Sequence, residues 1–88
     1  SHVFEDGALM TIKVWSVPHP VPPTTHGLKY SLYYGHEGKR LIGYDNERGK
    51  GDHRHYDKHE EAYLFTTLEA LLDDFMEDIE KFRRRKNT

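Results

Sequence analysis

From Leu68 onward the apolar residues fall at Leu68, Leu71, Leu72, Phe75, Met76, Ile79 and Phe82. Steps of three and four draw one continuous stripe along a helix. Thr66-Thr67-Leu68-Glu69 in front of it reads as a capping box. The Thr66 hydroxyl accepts from the Glu69 amide while Glu69 reaches back. Acids crowd the first turns, and Lys81, Arg83, Arg84, Arg85 and Lys86 crowd the last, both favourable with the helix macrodipole. Such a stripe must cover something apolar, so the rest of the chain has to supply a sheet.

The upstream pattern supplies it. Residues 7–15 alternate, with Leu9, Thr11, Lys13 and Trp15 on one side and Met10, Ile12 and Val14 on the other. Leu28, Tyr30, Leu32 and Tyr34 form one face of a second strand, and Lys29, Ser31 and Tyr33 its other face. Gly35-His36-Glu37-Gly38 is a hairpin turn. Lys39–Tyr44 returns antiparallel, with either Leu41 and Gly43 or Ile42 and Tyr44 facing inward. His53–Tyr56 can pair with it, and Ala62–Phe65 extends a strand or leads into the helix. Pro18, Pro20, Pro22 and Pro23 make Val17–Thr25 a stiff extended connector. The expected fold class is α+β: an antiparallel β-sheet of three to five strands with one C-terminal amphipathic helix packed on it. It is one domain over residues 1–88, with residues 1–6 flexible or tag-derived.

Composition narrows the function. With 35% hydrophobic and 32% charged residues, one Trp, four Phe and six Tyr, the chain is polar but able to fill a core. The absence of cysteine excludes a disulfide scaffold, a Cys-based zinc site and a thiol nucleophile. No apolar run approaches the roughly 18–20 residues of a membrane span, and no signal peptide is visible. A cytoplasmic protein without a membrane partner is therefore expected. The net charge of −2 hides a gradient: −1 over residues 1–38, +2 over 39–59 and −3 over 60–88. The middle and the last turn of the chain are where a polyanion would land.

Residues 43–56 build no core, yet hold three cations, three acids, two histidines and two tyrosines. Gly49 and Gly51 flank Lys50, and such a loop can turn amides toward an anion, although no Walker pattern is present. His53 and His55 share one face of a strand, and Arg54 and Tyr56 share the other. Paired imidazoles can divide base and acid roles near neutral pH. Metal-free RNA cleavage needs a base for the 2′-hydroxyl, an acid for the leaving 5′-oxygen, and cations for the phosphate. His53, His55, Lys50, Arg48 and Arg54 can fill those roles, and Tyr44 or Tyr56 can stack on a base. Three other readings compete: a metal site built from His53, His55, Asp57 and His59, a phosphate-gripping module without chemistry, and a solvated charged hairpin.

Gly43-Tyr44-Asp45-Asn46 followed by Gly49-Lys50-Gly51-Asp52-His53-Arg54-His55 resembles the signature of the TumE-like toxin family of bacterial type II toxin–antitoxin systems. The flanks agree: Trp15, Val17-Pro18, Val21-Pro22, Lys29-Tyr30-Ser31-Leu32, Tyr63, Phe65 and the helix. The resemblance implies a growth-arresting ribonuclease neutralised by a cognate helix-turn-helix antitoxin. It marks Tyr44, Asp45, Lys50, Asp52, His53, Arg54 and His55 as a block without giving each a role.

The expectation is a toxin acting as a metal-independent endoribonuclease. His53 and His55 transfer protons, and Arg54 and Lys50 hold the phosphate. Tyr44, Asp45, Arg48, Asp52 and Tyr56 contact the substrate or support the site; Asp45 and Asp52 orient a histidine or pin the loop. No metal or other cofactor is called for. RNA and the antitoxin are the expected partners, a homodimer is admitted, and an edge strand or the acidic helix face can serve the antitoxin. The alternative is a non-enzymatic nucleic-acid- or partner-binding domain that uses Arg83–Lys86 as much as the loop.

Overall fold

In the computed structural model, which describes residues 1–86, six strands form one antiparallel meander in the order β1 to β6. They are β1 (His2–Val3), β2 (Leu9–Ser16), β3 (Leu28–His36), β4 (Lys39–Glu47), β5 (Gly51–Tyr56) and β6 (His59–Ala62), followed by α1 (Leu68–Lys86). The α+β class and the C-terminal helix stand, but the sheet has six strands instead of three to five. The two additional strands are short and lie at the edges. His2 and Val3 pair with Met10 and Leu9, and β6 runs His59-Glu60-Glu61-Ala62 against β5. Neither carries an apolar alternation.

One face of the sheet is covered by α1. Tyr30, Leu32 and Tyr34 of β3 meet Ile42 and Tyr44 of β4, and Leu71, Phe75 and Ile79 press onto them from the helix. Each of the three helix side chains, at most 2% exposed, contributes about 1.5–3 kcal/mol of burial. The stripe is narrower than its spacing suggests: Leu68 and Met76 stay exposed at 37% and 42%. Three phenols fasten the helix. Tyr44 donates to Asp78 at 2.5 Å and Tyr63 to Asp74 at 2.5 Å, and Arg83 donates to the Tyr34 hydroxyl at 3.0 Å. The cap lies one residue later than expected, because Ala70 N–H donates to the Thr67 hydroxyl at 3.0 Å.

The inward pair on β4 is Ile42 and Tyr44. Opposite Tyr34 stands Ile42, but opposite Gly35 stands Arg40, so Leu41 is the extra residue of a bulge. The β3–β4 turn uses Glu37 and Gly38 at φ +53° and +78°, the doubly left-handed geometry that suits a tight hairpin. The proline-rich connector is closed by Val17 N–H donating to Gly27 O at 3.0 Å and is docked on the next hairpin by Gly49 N–H donating to Pro22 O at 2.8 Å.

Candidate functional site

The period of two in a strand places alternate side chains on opposite faces, and the register divides the expected site residues accordingly. Asp45 stands opposite His53 across β4–β5. Both face away from α1, as do His55 and, from β6, Glu60, which stands opposite His55. Tyr44, Asp52, Arg54 and Tyr56 lie on the helix side.

On the uncovered face the groups converge. His53 Nδ1 donates to Gly51 O at 3.1 Å. Its Nε2 lies 2.6 Å from Asp45 Oδ1, yet that oxygen, buried, has no hydrogen-bond partner among the described residues. The contact is close but out of line for a hydrogen bond, and is an ion-pair contact. His55 Nε2 is 3.9 Å from Asp45 Oδ2, and Arg40 donates to His55 Nδ1 at 3.0 Å. Glu60 reaches both rings, 3.6 Å from His53 Nε2 and 3.8 Å from His55 Nδ1, and Lys50 Nζ lies 3.4 Å from its carboxylate. The imidazole centroids are 4.9 Å apart. A groove of about 420 Å³ opens beside them, lined by Lys50, His53, Glu60 and Ala62 and bounded also by Asp52 and Glu61.

The local charges set the protonation states. Burial, then the Arg40 guanidinium, push the His55 imidazole below its ordinary value, with Asp45 and Glu60 opposing. Desolvation of the Glu60 carboxyl works against its charge, but the Lys50 hydrogen bond and charge outweigh it and hold that carboxyl below its ordinary range. The cluster therefore holds a neutral imidazole at His55 next to paired carboxylates and cations.

The structure places the other expected residues away from this cluster. Tyr44 is fully buried, with its hydroxyl donating to Asp78 and accepting from Arg54 at 3.1 Å, so it cannot stack on a base. Arg54 lies on the face opposite the histidines, as its strand position predicts, and is engaged there by Glu61 at 2.7 Å and by Tyr44. Tyr56 is on that side too, accepting from Arg85 at 3.3 Å. Asp52 meets a histidine outside the cluster, His26. Its carboxylate accepts from the Thr24 hydroxyl, from His26 Nε2 at 2.7 Å and from the Tyr30 hydroxyl at 2.7 Å. In the loop, Gly49 N–H is spent on Pro22 O and Lys50 N–H on Glu47 O, so neither amide is turned toward an anion. Arg48 is exposed in the turn, apart from the cluster. Of the nine residues, Asp45, His53, His55 and Lys50 are brought together.

Arg40 and Glu60 join them without having been anticipated, because each arrives across a strand. Glu60 follows from strand pairing once β6 is known. Arg40 follows from the bulge, which turns it onto the uncovered face.

Fold and site define a small antiparallel α+β domain with an imidazole–carboxylate cluster on the side that its helix leaves uncovered. The chain belongs to the TumE toxin family: a family model described as Toxin TumE matches residues 2–83. Membership supports a toxin role and implies an antitoxin partner. None of the curated proteins and none of the solved structures matches the chain. Among the described residues no helix is long and apolar enough to cross a membrane.

Proposed function

We propose that this toxin is a metal-independent endoribonuclease acting by general acid–base catalysis on the uncovered sheet face. The observation that carries the reading is the arrangement of Arg40, His55, Asp45 and His53 in one contiguous chain of contacts. His55 is the base. Its Nδ1 lone pair is met by Arg40 in the free protein, and a bound phosphodiester draws that guanidinium onto its own oxygens. The freed Nδ1 then takes the proton of the 2′-hydroxyl. The 2′-oxygen attacks phosphorus, the bond to the 5′-oxygen breaks, and a 2′,3′-cyclic phosphate forms. The leaving 5′-oxygen takes a proton from the Asp45–His53 pair, while Arg40 and Lys50 offset the charge on phosphorus.

The test compares RNA cleavage by the wild type, His53→Ala and His55→Ala in EDTA, with far-UV circular dichroism to show that each variant is folded. Loss of about 100-fold or more is expected in each variant. A strand carrying a 2′-deoxy sugar at the scissile position should resist cleavage. Undiminished cleavage by both variants overturns the assignment, and loss of wild-type cleavage in EDTA overturns metal independence.

A second reading, a nucleic-acid-binding domain without chemistry, is favoured by the enclosure of the rings: His53 is 5% and His55 8% exposed. Tight, salt-sensitive RNA binding that yields no fragments would establish it.

A further inference from the structure

Asp45, His53 and His55 each offer one ligand atom, and these atoms all lie within 4.8 Å of one another. The strand geometry produces this. Residues i and i+2 of β5 project both imidazoles to one side, and the β4–β5 register sets Asp45 opposite His53. Two details distinguish the group from an accidental cluster. First, His53 Nδ1 donates to the Gly51 carbonyl, which leaves Nε2 as the lone-pair nitrogen of the neutral ring, the backing that metal-bound histidines use. Second, Asp45 Oδ1 is buried without a hydrogen-bond partner among the described residues, although His53 Nε2 is 2.6 Å away. A cation that draws the two atoms apart coordinates both.

From this geometry we infer that Asp45, His53 and His55 form a divalent transition-metal site, with Glu60 behind it, and that metal and catalysis compete for it. Two nitrogens and a carboxylate suit Zn²⁺ and do not suit Mg²⁺ or Ca²⁺, which take oxygen ligands. In the free protein the Arg40 guanidinium sits on the His55 ring and the Lys50 ammonium on the Glu60 carboxylate, both from exposed side chains. A divalent ion replaces those two charges. As Arg40 withdraws, the His55 proton moves from Nε2 to Nδ1, where Glu60 Oε2, 3.8 Å away, can close in and accept it. Nε2 is then free to bind the metal. Coordination takes the lone pairs and displaces the protons that the proposed chemistry uses, so the loaded protein is inactive. That consequence rests on the ribonuclease reading; metal binding itself does not.

The experiment is calorimetric titration of EDTA-stripped, dialysed full-length protein with ZnCl₂, and separately with MgCl₂, without RNA. One Zn²⁺ per chain is expected and no Mg²⁺. Asp45→Asn weakens Zn²⁺ binding by at least about 100-fold, while His36→Ala and His59→Ala leave it unchanged. Arg40→Gln keeps every ligand, removes the competing cation and strengthens binding by about tenfold, which a merely structural arginine would not do. Circular dichroism confirms that each variant is folded. Absence of stoichiometric Zn²⁺ uptake, or uptake insensitive to Asp45→Asn, overturns the site. RNA cleavage is then measured with one equivalent of Zn²⁺. Inhibition reversed by EDTA is expected, and stimulation overturns the competition while leaving the calorimetric result standing.

Discussion

Gly43 lies directly beneath the Arg40 side chain: a Cβ built on Gly43 would meet Arg40 Cδ at 2.9 Å. The glycine is what lets the guanidinium cross the sheet to His55. The obstructed atom belongs to a long exposed side chain, and the nearest backbone atom, Leu32 O, is at 3.5 Å. Gly43→Ala should therefore move Arg40 and leave the strands in place. With Arg40 displaced, one cause of the lowered His55 pKa is removed, so the midpoint of the His55 titration followed by NMR should rise while Tm changes little. RNA cleavage should fall by about tenfold or more. An unchanged His55 midpoint would separate Arg40 from the imidazole in solution.

Arg54 tests the division between the two faces. Its partners Glu61, Tyr44 and Asp78 are all on the helix side, and its side chain is 37% exposed. Arg54→Ala should cost about 1 kcal/mol of stability in a urea titration, since the lost charged hydrogen bonds are partly solvated. Cleavage of RNA and uptake of Zn²⁺ should be unaffected. A large loss of cleavage in a variant of near wild-type stability would return Arg54 to the site.

Much of this arrangement was legible in the sequence, and the failures have local causes. The Tyr30, Leu32, Tyr34 face and the helix stripe were readable because burial imposes a period on them. The shared face of His53 and His55 follows from strand geometry alone. The side of β4 was ambiguous because Leu41–Gly43 and Ile42–Tyr44 both alternate acceptably, and only the bulge at Leu41 settles it. The partners of Tyr44 and Arg54 could not be read, because a tyrosine or an arginine in a polar stretch looks the same whether it meets solvent or an acid on the helix, here Asp78. Thr24 and His26 were passed over because the proline segment reads as a connector, while its role at Asp52 depends on a fold-back that no local pattern encodes.

That fold-back gives a stability prediction with a defined pH window. Burial disfavours the charge on Asp52, but the hydrogen bonds from Thr24, His26 and Tyr30 outweigh it and hold the carboxyl below its ordinary value of 3.8. A carboxylate with a depressed folded pKa contributes stability that is fully present above the unfolded value and is lost as pH falls through the folded one. Asp52→Asn should cost about 2–3 kcal/mol at neutral pH, because an amide cannot accept from all three donors without turning its NH₂ on one of them. The gap between wild type and variant should narrow below pH 3.8. Parallel acid-denaturation curves would show that Asp52 is not the carboxylate that anchors the proline segment.

Phe75 tests how much of the fold depends on the helix. Its ring is completely buried and meets Tyr44 edge-on at 6.0 Å between centroids. Phe75→Ala removes the largest apolar side chain that α1 inserts and leaves a cavity against the β4 tyrosine, at a cost of about 3–5 kcal/mol. A small domain has a total stability of about 5–15 kcal/mol, so the variant should lose a large fraction of it and melt well below the wild type. Met76→Ala, next to it but 42% exposed, should change stability by less than about 1 kcal/mol. Thermal melts of the pair decide the point: similar melting temperatures would mean that α1 is not packed through Phe75, and the sheet face that we describe as covered would have to be open.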